Sequence, residues 1–181
     1  MASGAERFAA ATAHLGLSPI RMPDSTHTAA EAAAAVGCEV GAIVKSLVFV
    51  ALREDAAPGV GDAATGHAEP RRDPVLALVC GDNRCDLDAL ASLLGARIEK
   101  ADAVTVKAVT GFSIGGVPPI GHPAPVHTVI DADLRRFATV WSAAGSAYDV
   151  FPATPLQLIE WTGGEIARIG APSVEPQRAG G

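Results

Sequence analysis

Ile43-Val44-Lys45-Ser46-Leu47-Val48-Phe49-Val50-Ala51-Leu52 is a run of β-branched, aliphatic and aromatic residues interrupted by a single cation. Such a run reads as a buried strand. Alternation puts Ile43, Lys45, Leu47 and Phe49 on one face and Val44, Ser46, Val48 and Val50 on the other. A lone ammonium among apolar neighbours costs desolvation unless it snorkels or meets an anion. Two readings of Lys45 therefore stand: a strand-end lysine reaching solvent, or a lysine lining a pocket that takes a negative ligand.

A second β-rich run, residues 75–80, pairs naturally with the first. Residues 53–74 between them are rich in Gly, Ala, Pro, Asp and Glu without apolar periodicity, and read as a mobile loop inserted in a hairpin connection. On the N-terminal side, Ser3 with Glu6 and Thr28 with Glu31 have capping-box spacing, each opening a helix. On the C-terminal side, Asp86 caps a helix ending at Gly95, and residues 102–109 form another. Strands are expected around Ile98, at 126–130, near Val140 and Val150, and at 165–169, with a helix starting at Thr154-Pro155. Strands and helices mix without strict βαβ alternation. The expected fold is α/β of the mixed α+β kind: one domain over residues 1–170, a curled mixed sheet surrounded by helices, with 171–181 a flexible tail.

The chain has 181 residues, 49% hydrophobic and 19% charged, which suits one globular domain. A net charge of −6 argues against holding nucleic acid, DNA above all, by bulk electrostatics, but leaves room for gripping the end of an RNA. Cys38, Cys80 and Cys85 form no C-x-x-C pair and read as reduced thiols of a cytoplasmic protein. No segment approaches transmembrane length, and the five histidines (14, 27, 67, 122 and 127) show no metal spacing.

Gly111-Phe112-Ser113-Ile114-Gly115-Gly116-Val117-Pro118-Pro119-Ile120-Gly121-His122 is the second anomaly. Glycines let backbone N–H groups converge on an oxyanion, and prolines would hold that shape. A structural turn is the plainer reading. His122 is the histidine inside this segment, which keeps it a candidate. No following Lys-Ser/Thr pair makes it a P-loop, and the chain has no G-x-S-x-G or H-E-x-x-H. Asp131 and Asp133 read as a helix cap rather than an acid/base pair.

Five motifs in order resemble the YbaK, or prolyl-tRNA synthetase-associated, family. They are Thr28-Ala29-Ala30-Glu31-Ala32-Ala33, the lysine-bearing run, Cys80-Gly81-Asp82-Asn83-Arg84, the segment from Thr110 to Gly121, and Trp141-Ser142-Ala143-Ala144-Gly145-Ser146. The likeness spans about residues 5–169, nearly the whole chain. In that family the lysine after the apolar pair is the central functional residue, and it falls on Lys45. The family's G-x-x-x-P loop falls on residues 115–119. Relatives often carry serine where this chain has Pro118, a departure that bears on substrate preference.

The resemblance implies hydrolysis of the ester joining an amino acid to the 3′-terminal adenosine of a mischarged tRNA, with proline tRNA carrying alanine, cysteine or a similar small residue as the expected substrate. A synthetase pocket separates amino acids differing by a methylene by only about 1–3 kcal/mol, so a second site must remove errors. Lys45 would anchor and polarise the substrate end, and the N–H groups of Gly115 and Gly116 would face the oxyanion. Thr28, Ser46, Pro118, Pro119, Gly121 and His122 would contact substrate. The resemblance implies no metal and no cofactor. The partners it implies are the tRNA 3′ end and, as a candidate, an aminoacyl-tRNA synthetase. The alternative is a non-catalytic module that binds an aminoacyl or nucleotide end and acts through a partner.

Overall fold

The capping box of Ser3 and Glu6 opens α1 (Gly4–Ala11), and a 3-10 turn leads on towards β1 (Ile20–Arg21). In this computed structural model, residues 1–54 and 70–173 are described. The second box, Thr28 with Glu31, opens α2 (Ala29–Val36), which stops at Gly37 in the left-handed conformation. β2 (Val44–Arg53) and β3 (Arg71–Cys80) form an antiparallel hairpin. Next come β4 (Asn83–Cys85), α3 (Leu87–Leu94) capped by Asp86, β5 (Arg97–Lys100) and α4 (Ala103–Thr110) capped by Asp102. Beyond the Gly/Pro segment lie β6 (His127–Asp131), β7 (Val140–Ala143) and β8 (Asp149–Ala153). The chain then forms α5 (Pro155–Thr162), with Pro155 in its first turn, β9 (Glu165–Ala167) and β10 (Gly170–Pro172).

The strands form a five-stranded mixed sheet in the order β5-β2-β3-β6-β9, a three-stranded antiparallel sheet β1-β8-β7, and the pair β10-β4. β3, β6 and β9 run parallel, whereas β5 and β3 flank β2 antiparallel. The expected mixed fold is the one observed.

Alternation along β2 holds as read. Val44, Val48, Val50 and Leu52 enter a core shared with Phe8, Phe112 and Phe151, which joins the two larger sheets. Phe49 and Ala51 enter a second core against Leu90 and Leu94 of α3. The sheet is thus covered on both faces, which is why β2 reads as a continuous apolar run rather than a clean alternation. Burying each large apolar side chain contributes roughly 1.5–3 kcal/mol.

Two boundaries differ from the sequence reading. The hairpin pairs as far as Arg53 with Arg71, so the ends of the 53–74 insertion belong to strands, and its middle lies outside the described residues. Those outer rungs carry charge instead of apolar side chains: Asp73 takes Arg53 at 3.2 Å and Arg71 at 2.6 Å. Gly170, Ala171 and Pro172, of which the last two fall in the expected tail, pair with β4 instead. Their anchor is Ile169, which is fully buried beside them. Among the described residues no helix is long and apolar enough to cross a membrane.

Candidate active site

β2 is paired with β3 along its whole length, but with β5 only over residues 49–52. Its other half therefore has an edge without a neighbouring strand over residues 44–47, since Val48 still accepts the Ala101 N–H at 3.2 Å and Ile43 makes one bridge to Trp141. A cavity of about 650 Å³ opens at this edge. Because an open edge lies between the two faces of a strand, Lys45 and Ser46 both line the cavity although they point to opposite sides. The loop before α2, the Gly/Pro segment, β7 and the start of α3 supply the other walls, including His27, Thr28, Gly115, Trp141, Ser142 and Leu87.

Lys45 is half-buried, and its Nζ donates to the backbone carbonyl of Asn83. That carbonyl is held in place from below. Asn83 Nδ2 donates to Asp131 Oδ2 at 2.9 Å and to Asp133 Oδ2 at 2.8 Å. Asp131, fully buried, also accepts the Cys80 N–H at 3.1 Å. Burial pulls the Lys45 ammonium below its usual pKa, and the nearby carboxylates of Asp82 and Asp131 oppose that pull. Among the described residues Lys45 makes no ion pair, and an ammonium has three donors of which one is used here. Lys45 thus lines the cavity.

Ser46 and Ser142 both line the cavity, and their buried hydroxyls have no hydrogen-bond partner among the described residues. Thr28 lines it too, but its Oγ1 accepts the Glu31 N–H at 3.1 Å as the cap of α2. Cys85 is on the wall, with its thiol pushed up to about 11 by burial, so it stays protonated. Among the described residues no group of three or more His, Cys, Asp and Glu side chains could hold a metal ion.

The Gly/Pro segment does not face the cavity as a unit. Gly115 lines it with φ 88°, and its N–H has no acceptor among the described residues. Gly116 corrects the sequence reading: its N–H donates to the Ser113 carbonyl at 3.0 Å, so that donor is engaged in a turn. A Cβ on Gly116 would stand 2.8 Å from Ser146 Cα, so this glycine serves a backbone-to-backbone contact. Pro118 and Pro119 are buried and lie outside the lining, as do Gly121 and His122. Gly121, at φ 84°, packs on Ala11 and Phe8 of α1. His122 Nε2–H donates to the Pro118 carbonyl at 2.8 Å, and its ring meets Phe112 edge-on. Gly121 thus ties the segment to α1, while His122 braces it from within. Sequence reasoning also missed His27, Trp141, Ser142 and Lys100, of which only Trp141 and Ser142 carried a signal, inside the fifth motif.

The model of the aminoacyl-tRNA editing domain family matches residues 23–161, from the loop before α2 to the end of α5. This chain belongs to that family. Among solved structures, one provisionally described as a trans-editing enzyme for prolyl tRNA synthetase is 38% identical, with a TM-score of 0.78 over 94% of this chain and 99% of that one. YwhH of Bacillus subtilis, an uncharacterized protein, is 29% identical over 138 residues, 76% of each chain. EbsC of Enterococcus faecalis, provisionally named a Cys-tRNA(Pro)/Cys-tRNA(Cys) deacylase, is 28% identical over 145 residues, 79% of this chain and 77% of its own. The stretch shared with the editing family contains Lys45, Gly115 and Ser142.

Proposed function

We propose that the chain is a trans-editing aminoacyl-tRNA deacylase that removes a small amino acid, alanine or cysteine, from mischarged proline tRNA. The observation that carries this is Lys45: an ammonium without an ion-pair partner among the described residues, fixed by the Asn83 carbonyl, in the wall of a cavity of about 650 Å³. That volume lies within the roughly 300–1,000 Å³ of small-ligand sites, enough for a terminal nucleoside and its aminoacyl group. An aminoacyl ester is already activated, so a positioned water and a stabilised oxyanion suffice without a nucleophilic side chain. Lys45 would bind and polarise the substrate end, and the Gly115 N–H would face the developing oxyanion. Ser46 and Thr28 belong to the same wall and would contact substrate. With a net charge of −6 the chain offers little bulk attraction to the tRNA body, which supports a synthetase as the partner that delivers it.

The test is single-turnover release of labelled amino acid from Ala-, Cys- and Pro-charged proline tRNA, with and without prolyl-tRNA synthetase. Release from the two mischarged substrates should exceed the spontaneous rate at least tenfold and exceed release of proline. Spontaneous rates throughout, with the synthetase present, would overturn the proposal.

A further inference from the structure

His27 lies on the loop between β1 and α2, and it is held more tightly than its place on a loop suggests. Before it, the N–H and the Oγ1 of Thr26 both donate to the Ala147 carbonyl at 2.7 Å. After it, Thr28 is locked by its reciprocal cap with Glu31. Between these two fixed residues the exposed imidazole is laid against Gly115: a Cβ built there would stand 2.7 Å from Nδ1 and 3.2 Å from Cε1. The ring therefore presents its Nδ1–Cε1 edge to the residue whose N–H faces the proposed oxyanion. Neither ring nitrogen has a hydrogen-bond partner among the described residues, whereas His122 and His127 are engaged with Pro118 and Glu165.

Among the described residues the other titratable side chains on the wall are Lys45, Lys100 and Cys85, and none is a carboxylate. Two of these are ammonium groups, and the third is a thiol held protonated near neutral pH. Removing a proton from water needs a group able to accept one, and an imidazole is the side chain that changes charge between about pH 5 and 8.

We infer that His27 is the proton-transfer residue of the deacylation, resting on the function proposed above. Its neutral ring accepts a proton from the attacking water as the water oxygen bonds to the ester carbonyl carbon. The carbonyl electron pair moves onto oxygen beside Gly115. Collapse breaks the bond to the ribose oxygen, which takes the proton from the imidazolium. The net change is one water added across the ester. Glu31 on α2 is a charged group close enough to feel the ring; its carboxyl is held below the usual range chiefly by Thr28 and in small part by His27. The Gly/Pro segment packed on the other edge brings no titratable side chain from residues 113–117.

The experiment compares wild type with His27→Gln, His27→Phe and His27→Ala in single-turnover deacylation from about pH 5.5 to 8.5. Base catalysis by the neutral ring makes the wild-type rate climb with pH on the acid side. Titration of the substrate's own amine is common to all proteins and cancels in the ratio of their rates. All three variants should fall at least 100-fold and lose that acid-side limb, with folding unchanged by circular dichroism. Added imidazole should restore part of the rate in His27→Ala, which a packing role could not produce. Activity in His27→Phe, which keeps a ring on Gly115, or an unchanged pH profile in His27→Gln, would overturn the assignment while leaving the deacylase reading intact. A wild type that releases nothing overturns both.

Discussion

β2 and the Gly/Pro segment wall the same cavity and meet it in opposite ways. Over residues 44–47 the strand has a free edge, so consecutive residues on opposite faces, Lys45 and Ser46, both reach the cavity. Of the Gly/Pro segment, Ile114, Gly115 and Val117 reach it. Gly116 is spent on the backbone of Ser146, Gly121 on α1, and His122 on the Pro118 carbonyl. A glycine-rich stretch next to a site is thus mostly committed to backbone packing, while a plain apolar strand supplies the charge. Close approach, the reason for glycine, is satisfied by protein as readily as by ligand.

The largest effect expected is at the strand. Lys45→Ala should lower single-turnover deacylation by a factor on the order of 10²–10³, the range seen when one preorganised electrostatic contact is removed. Lys45→Arg should also lose most activity, because a broad planar fork replaces a compact ammonium beside the Asn83 carbonyl. Stability should change by no more than about 1 kcal/mol, since the lost hydrogen bond is offset by relief of a half-buried charge. Stopped-time acid quench for rate, with thermal melts alongside, checks both. A wild-type rate in the alanine variant would break the comparison by removing the strand from the chemistry.

The segment separates into its two halves through adjacent glycines. Gly116→Val forces a branched side chain into the Ser146 backbone, and should destabilise by about 1–3 kcal/mol, a drop in Tm of several degrees for a chain of this size. Gly115→Ala puts a methyl against the His27 ring at a φ of 88°. It should lower turnover of the folded enzyme more than it lowers Tm. Reversal of that order in paired melts and single-turnover assays would show that Gly116, not Gly115, faces the substrate.

What the sequence made legible follows from range of interaction. Caps are local: Ser3 with Glu6, Thr28 with Glu31, Asp86 and Thr154 all sit where the sequence placed them. Strand alternation is also local, and it assigned the faces of β2 correctly. β4 and β10 were not legible, because three-residue strands of mixed polarity form only by meeting each other 85 residues apart along the chain, as Cys85 meets Gly170. The support of Lys45 is equally remote: Asn83 and Asp131 join from strands 48 positions apart. His27 carried no signal of its own, since its meaning comes from Gly115 folding back onto it. Which glycine faces inward depends on contacts with Ser146 and α1 as well as on the segment's own Gly116–Ser113 turn.

The smallest effect on activity is expected at His122, and it sharpens the division of the segment. The ring is half-buried, and its Nε2–H on the Pro118 carbonyl is a bond only a protonated Nε2 can make. Burial lowers its pKa below the ordinary 6.5, and the Pro118 hydrogen bond partly opposes that shift. The unfolded chain therefore binds a proton at this ring more readily than the folded protein does. By linkage, stability is full above about pH 6.5 and is lost as the pH falls towards the lower folded value. His122→Ala should cost about 1–2 kcal/mol at neutral pH, through the missing hydrogen bond and the lost packing on Phe112. It should also flatten the decline of Tm between about pH 7 and 5, because the ring responsible is gone. Deacylation per folded molecule should stay within about twofold of wild type, since nothing at His122 reaches the cavity wall. The check is a set of melts across that pH range with single-turnover rates at temperatures below each Tm. A variant as stable as wild type but slow in turnover would move His122 into the site and with it the far half of the segment.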